Sequence, residues 1–152
     1  MNDNPVQDGE QAELFQTGDF TLASGQRSSW KIECDALTPA DWEGLAAIAA
    51  ETLHPFGEVV GVPRGGLLFA QALVKYTTEG PLLIVDDVWT TGESMKVYAA
   101  RHHPNRYWLG CVVFARNVPD YWVRALFTMT SAPPQAASSS VAPPSNPPRG
   151  ET

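Results

Sequence analysis

"LLIVDDVWTTGES", Leu82 to Ser94, sets four apolar residues ahead of two adjacent carboxylates, then turns through Thr-Thr-Gly toward a serine. A short continuous apolar run bounded by turn residues reads as a strand buried on both faces. Asp86 and Asp87 then stand at the carboxyl end of that strand. Thr90, Thr91, Gly92, Glu93 and Ser94 bring hydroxyls and backbone amides to the start of the next helix, "ESMKVYAARHH". Free amides at a helix N-terminus favour a phosphate monoester. The paired acids lie where sugar hydroxyls, or a hydrated Mg²⁺, would meet them. A ribose carrying a 5′-phosphate satisfies both halves of the motif.

The flanking sequence supplies partners for this strand. "TPADWEGLAAIAAETL" has Thr38 as N-cap, Pro39 at the first helical position and Asp41 in the first turn, ahead of helically spaced apolar residues. "GEVVGV" reads as a buried strand, "PRGG" as a sharp loop and "LLFAQALVKY" as a helix. "RYWLGCVVFAR" is a further strand, and the aromatic and β-branched content of "DYWVRALFTM" predicts a terminal one. Continuous apolar strands alternating with helices predict an α/β domain whose parallel sheet is flanked by helices. Ahead of them, "DFTLASGQRSSWKIEC" places Ser-Gly-Gln between two β-prone runs, the pattern of a hairpin or small flap.

Composition sets the outer limits. Residues 1–18 are polar, and 131–152, "SAPPQAASSSVAPPSNPPRGET", offer so little to bury that disorder is expected there. The folded domain is therefore expected over 19–130. A formal charge of -7 argues against a broad electrostatic grip on nucleic acid or an anionic membrane surface, so an anionic ligand has to be held locally. Cys34 and Cys111 lie among apolar residues and read as reduced thiols. The opening lacks a leader-like pattern, and the chain lacks any run of about 18 apolar residues, so a cytoplasmic location is expected. "HHP" at 102–104 reads as a solvated helix end, with no third metal ligand suitably spaced.

A second loop falls at the same sheet edge. In open parallel sheets, ligands bind beyond the carboxyl ends of the strands. Arg64, Gly65 and Gly66 follow one such strand. The paired glycines allow close backbone approach, and Arg64 offers a planar cationic fork suited to phosphate or pyrophosphate.

"LLIVDDVWTTGES" resembles the phosphoribosyl pyrophosphate (PRPP) signature of type I phosphoribosyltransferases, and "GVPRGG" is similar to the pyrophosphate loop of that family. "FTLASGQRSSW" further resembles the base-binding hood of the orotate enzymes, here about Phe20 to Cys34. The resemblance spans about Phe20 to Phe127 and implies the phosphoribosyltransferase fold with a small N-terminal hood. It implies that Asp86 and Asp87 meet the ribose hydroxyls, directly or through metal and water, and that Thr90 to Ser94 wrap the 5′-phosphate. Arg64, Gly65 and Gly66 would hold pyrophosphate. Arg116, Trp30, Gln26 and Arg27 would border the base.

The implied activity is phosphoribosyl transfer between PRPP and a pyrimidine such as orotate, with Mg²⁺. A nucleoside 5′-monophosphate would be the product, and a second copy of the chain a partner. Two departures remove positive charge. The flexible basic lid of orotate-type enzymes finds no space between Gly66 and Pro81, and the hood's usual lysine is Ala23. The rival reading is a PRPP- or nucleotide-binding protein without transferase turnover, acting as a regulator or sequestering module.

Overall fold

The computed structural model describes residues 12–129. The expectations for 131–152, and for most of the polar opening, lie outside the described residues. The order of elements is β1 (Phe15–Thr21), β2 (Arg27–Ile32), α1 (Pro39–Thr52), β3 (Glu58–Gly61), α2 (Leu67–Leu73), β4 (Leu82–Trp89), α3 (Glu93–His102), β5 (Trp108–Ala115) and β6 (Val123–Thr128).

β1 and β2 pair antiparallel as the expected hairpin. Its turn closes with the Leu22 amide donating to the Gln26 carbonyl at 2.8 Å, and Gly25 supplies the positive φ of 81° that the reversal needs. The hairpin opens at Phe15, ahead of the boundary expected at Asp19 and of a hood expected from Phe20. The physical reason is the side chains: Leu14 packs against the core, and the Phe15 ring meets Phe114 edge-on at 5.9 Å.

α1 begins as its sequence dictates. Thr38 accepts from the Asp41 amide while the Asp41 carboxylate accepts from the Thr38 amide, a reciprocal capping box with proline in the first turn. That hydrogen bonding holds the exposed Asp41 carboxyl below its ordinary range.

β3, β4, β5 and β6 form one parallel sheet in that spatial order. Side chains on β4 alternate between two cores. Leu83 and Val85 join α1 and α2 on one face, with Trp42, Ala46, Phe69 and Leu73. Leu82 and Ile84 join α3 on the other, with Met95 and Ala99. Burial on both faces is why the sequence shows no period-two alternation there.

Burial also explains both thiols. Cys34 and Cys111 are buried and unpaired, and burial pushes the Cys111 thiol up to about 12. Cys34 is raised further, by burial first and then by the adjacent Asp87 charge. Neither has the exposed, electropositive setting of a reactive thiolate.

The connections from β3 to β4 and from β4 to β5 step the same way across the sheet, yet α2 and α3 cover opposite faces. The two crossovers therefore have opposite hands, and one departs from the right-handed rule. The β5–β6 connection runs on the α3 side, where Trp122 packs, and so shares the hand of the α3 crossover. α2 passes through a single 3₁₀ turn at Val74–Tyr76 and goes straight into β4, leaving β3 as a sheet edge.

Candidate functional site

β4 runs two residues past the expected strand end. Val88 pairs with Phe114 and Trp89 with Ala115 on β5, because these β-prone side chains still have neighbours to pack against. Asp86 and Asp87 thus lie within the last stretch of a strand rather than at the mouth of a loop. Asp86 is 7 % exposed, the one charged side chain buried among the described residues, and its Oδ1 accepts from the Asp87 amide at 2.9 Å. Burial, and next the Asp87 charge, push its carboxyl up to about 8. Asp87 is only partly buried and accepts from the Val88 amide at 2.7 Å.

The two loops expected at this edge come together. Gly65 packs directly on Asp87: a Cβ at residue 65 would lie 2.4 Å from the carboxylate carbon. Gly66 presses against β4 itself, where a Cβ would lie 2.3 Å from the Val85 carbonyl oxygen. The Pro63–Arg64 peptide is cis, and Arg64 is exposed. Beyond β4, Thr90 and Thr91 lead to Gly92, whose φ of 76° turns the chain into α3. The Thr91 hydroxyl accepts from the Glu93 amide at 3.4 Å, and Glu93 and Ser94 are exposed on the first turn. Every residue of the two motifs therefore sits at the carboxyl edge of β3 and β4.

The hood joins this edge through Arg116, at the end of β5. Its guanidinium donates to the Ser28 hydroxyl at 2.5 Å and to the Trp30 carbonyl at 3.2 Å, and lies 3.7 Å from the Trp30 ring centroid. A polar cavity of about 290 Å³ opens between hood and sheet, with Gln26, Arg27, Ser28, Trp30, Thr90 and Arg116 in its wall. Trp30 faces it while stacked on Arg116, and Arg27 is paired with Asp19 across the hairpin. A larger apolar cavity of about 830 Å³, between α1, β1 and β6, contains none of the motif residues.

Sequence reasoning passed over Ser28 and Asn117. Asn117 takes hydrogen bonds on both sides of its amide, accepting from the Trp89 indole at 3.0 Å and donating to the Thr90 carbonyl at 2.7 Å. Its one signal in the sequence is its place directly after a strand-end arginine. Among the described residues no group of three or more His, Cys, Asp or Glu side chains lies together, so Asp86 and Asp87 are the carboxylates that would meet a cation at this edge. That pair fits Mg²⁺, which keeps most of its waters and takes one or two carboxylates beside substrate oxygens.

No family model and no curated protein matches the chain. Among solved structures, the orotate phosphoribosyltransferase of Aeropyrum pernix is 23% identical, with a TM-score of 0.63, over 76% of this chain and 88% of that one. The Francisella tularensis enzyme is 18% identical, with a TM-score of 0.55, over 76% and 77%. The Mycobacterium tuberculosis H37Rv enzyme in complex with PRPP is 18% identical, with a TM-score of 0.54, over 72% and 86%. None of the described helices is long and apolar enough to cross a membrane. The parallel sheet, its flanking helices and the N-terminal hairpin are together the type I phosphoribosyltransferase fold, in the form similar to that of the orotate enzymes.

Proposed function

We propose that this chain binds PRPP, or a nucleoside 5′-monophosphate, together with Mg²⁺, and transfers phosphoribosyl to a pyrimidine base of the orotate kind. The observation that carries the reading is the approach of Gly65 to Asp87, which brings a pyrophosphate-type loop and an acid pair into contact at one sheet edge. In the proposed complex Thr90, Thr91, Gly92, Glu93 and Ser94 surround the 5′-phosphate, mostly through amides at the start of α3. Asp86 and Asp87 take the ribose hydroxyls or the metal's water shell. Arg64, Gly65 and Gly66 hold pyrophosphate, with Arg64 the cation beside its developing charge.

Mg²⁺, when bound, neutralises charge on the departing pyrophosphate. The protein's own part is to orient the ribose through the carboxylates and to fix the phosphate through the loop. The base would enter the cavity beneath Gln26 and Arg27, against the face formed by Trp30 and Arg116. The domain proposed for this work runs from the hairpin to β6.

A second reading, binding with little turnover, is favoured by the direct passage from α2 to β4, which contains a single turn and no hairpin to close over pyrophosphate. Calorimetry with PRPP, orotate and orotidylate, with and without Mg²⁺, followed by an assay of pyrophosphate release, separates the two. Binding with release supports transfer, and binding without it supports the second reading. Changing Asp86 and Asp87 together to asparagine is expected to abolish Mg²⁺-dependent PRPP binding with the fold intact. Unchanged affinity in that double variant would falsify the ribose assignment.

A further inference from the structure

Two consecutive residues at the end of β5 point to different parts of the site. Arg116 reaches the hood, through Ser28 and the ring and carbonyl of Trp30. Asn117 reaches the phosphate-type loop, with its amide group donating to the Thr90 carbonyl and its amide oxygen accepting from the Trp89 indole. The backbone joins them to the same place, since the Arg116 amide donates to the Trp89 carbonyl at 2.9 Å.

Trp89 is a built floor under the loop. It is 3 % exposed and packs edge-on against Trp122 at 5.8 Å. Its ring lies so close to Gly92 that a Cβ there would meet it at 2.1 Å. Indole and loop therefore move together, and Asn117 bonds to both. An amide side chain suits this position because it offers an acceptor to the indole N–H and a donor to the carbonyl at once.

We propose that Asn117 is a positioning residue for the phosphate loop: by clamping Thr90 to Trp89 it presets the loop's amides for a 5′-phosphate, in register with the base cavity held by Arg116. The inference rests on the loop being a phosphate site, and it goes beyond that reading in assigning the setting of its shape to a residue outside the motif. Asn117 itself is exposed at the rim and lies apart from the core. Its removal is therefore expected to cost binding far more than folding.

The test compares Asn117→Ala, Trp89→Phe and the double variant with the full chain. Affinities are measured for ribose 5-phosphate and for inorganic pyrophosphate with Mg²⁺, alongside the melting temperature of each ligand-free protein. Losing a directed hydrogen bond at a preset site lowers affinity about tenfold. Asn117→Ala is expected to show that loss for ribose 5-phosphate, with pyrophosphate affinity and melting temperature little changed. Trp89→Phe removes the N–H together with the part of the indole that lies against Gly92, so its loss is expected to contain that of Asn117→Ala rather than add to it.

Equal losses for both ligands, or ribose 5-phosphate affinity untouched in Asn117→Ala, overturn the proposal. Should Trp89→Phe fold poorly, the single Asn117 variant still decides. A wild-type chain that binds neither ribose 5-phosphate nor PRPP overturns the phosphate-loop reading along with this one, whereas normal binding in both wild type and Asn117→Ala overturns this one alone.

Discussion

Gly65 stands against Asp87 with no room between them: a Cβ on the glycine would lie 2.4 Å from Asp87 Oδ1 and 2.5 Å from Oδ2. Its neighbour Gly66 meets backbone instead, at the Val85 carbonyl oxygen (2.3 Å) and the Val62 amide nitrogen (2.8 Å). The difference separates function from folding. In Gly65→Ala the Asp87 carboxylate can swing aside, so stability is expected to change little while PRPP affinity falls about tenfold or more. In Gly66→Ala the backbone has nowhere to go, and a loss of about 3 kcal/mol is expected. Urea denaturation and calorimetry on the two variants check both outcomes, and the reverse pattern would remove Asp87 from the ligand site.

A pH dependence follows from Asp86. Its carboxyl is pushed up to about 8 in the folded chain, by burial first and by the Asp87 charge next. The folded state then holds a proton that the unfolded state releases near its ordinary value of 3.8. Between those two values the folded state binds more protons, so stability falls as pH rises, with a limiting slope of about 1.4 kcal/mol per pH unit. The loss continues toward pH 8 and then levels off. Ligand-free protein is expected to be more stable at pH 5.5 than at pH 8 by this contribution, and Asp86→Asn is expected to remove it. Denaturant midpoints of both proteins at the two pH values provide the measurement, and identical pH profiles would show that Asp86 titrates normally.

The parts legible in the sequence were those whose signals are local. Thr38, Pro39 and Asp41 announce the start of α1 within four residues, and Leu82 to Val85 read as a buried strand from their apolar continuity. The two loops could be placed at one edge because parallel sheets present strand ends together. What remained hidden depends on partners far apart in the chain. Nothing in the sequence near Arg116 announces Ser28 or Trp30, more than eighty positions away, and nothing near Asp87 announces Gly65. The end of β4 was missed because Asp-Asp reads as a strand stop, whereas pairing with β5 carries the strand on to Trp89. The opposite hand of the α2 crossover is likewise a property of the sheet as a whole.

The capping box offers a test confined to stability. Thr38 takes the Asp41 amide on its hydroxyl, and Asp41 takes the Thr38 amide in return. Thr38→Ala leaves that helix amide without its side-chain acceptor, and a cost of about 1 kcal/mol is expected. Ligand affinity is expected to stay the same, because Thr38 and Asp41 are exposed and neither lines the polar cavity between hood and sheet. A melting curve and one PRPP titration check the pair of outcomes, and a matching loss of affinity would tie α1 to the site.

Turnover is expected to be where the chain departs furthest from what its fold implies. Rate in phosphoribosyl transfer comes from groups that stabilise the transition state more than the bound substrate, chiefly cations closing over the departing pyrophosphate. The segment that would carry them is replaced here by one turn between α2 and β4. The two cations that would have to substitute form exposed ion pairs elsewhere, Lys75 with Glu43 and Arg27 with Asp19. Loss of one electrostatic group of this kind costs about 10²- to 10³-fold in rate. Turnover is therefore expected to fall at least that far below an orotate enzyme assayed beside it, while PRPP affinity, which depends on Asp86, Asp87 and the Thr90 to Ser94 loop, persists. Ala23→Lys alone is not expected to restore it, because a single hood cation leaves the pyrophosphate uncovered. Steady-state pyrophosphate release under saturating PRPP and orotate makes the comparison. Turnover equal to the reference enzyme would mean that Lys75, Arg27 or a second copy of the chain supplies the missing charge, and the Glu43→Gln and Asp19→Asn variants would then show which pair opens during the reaction.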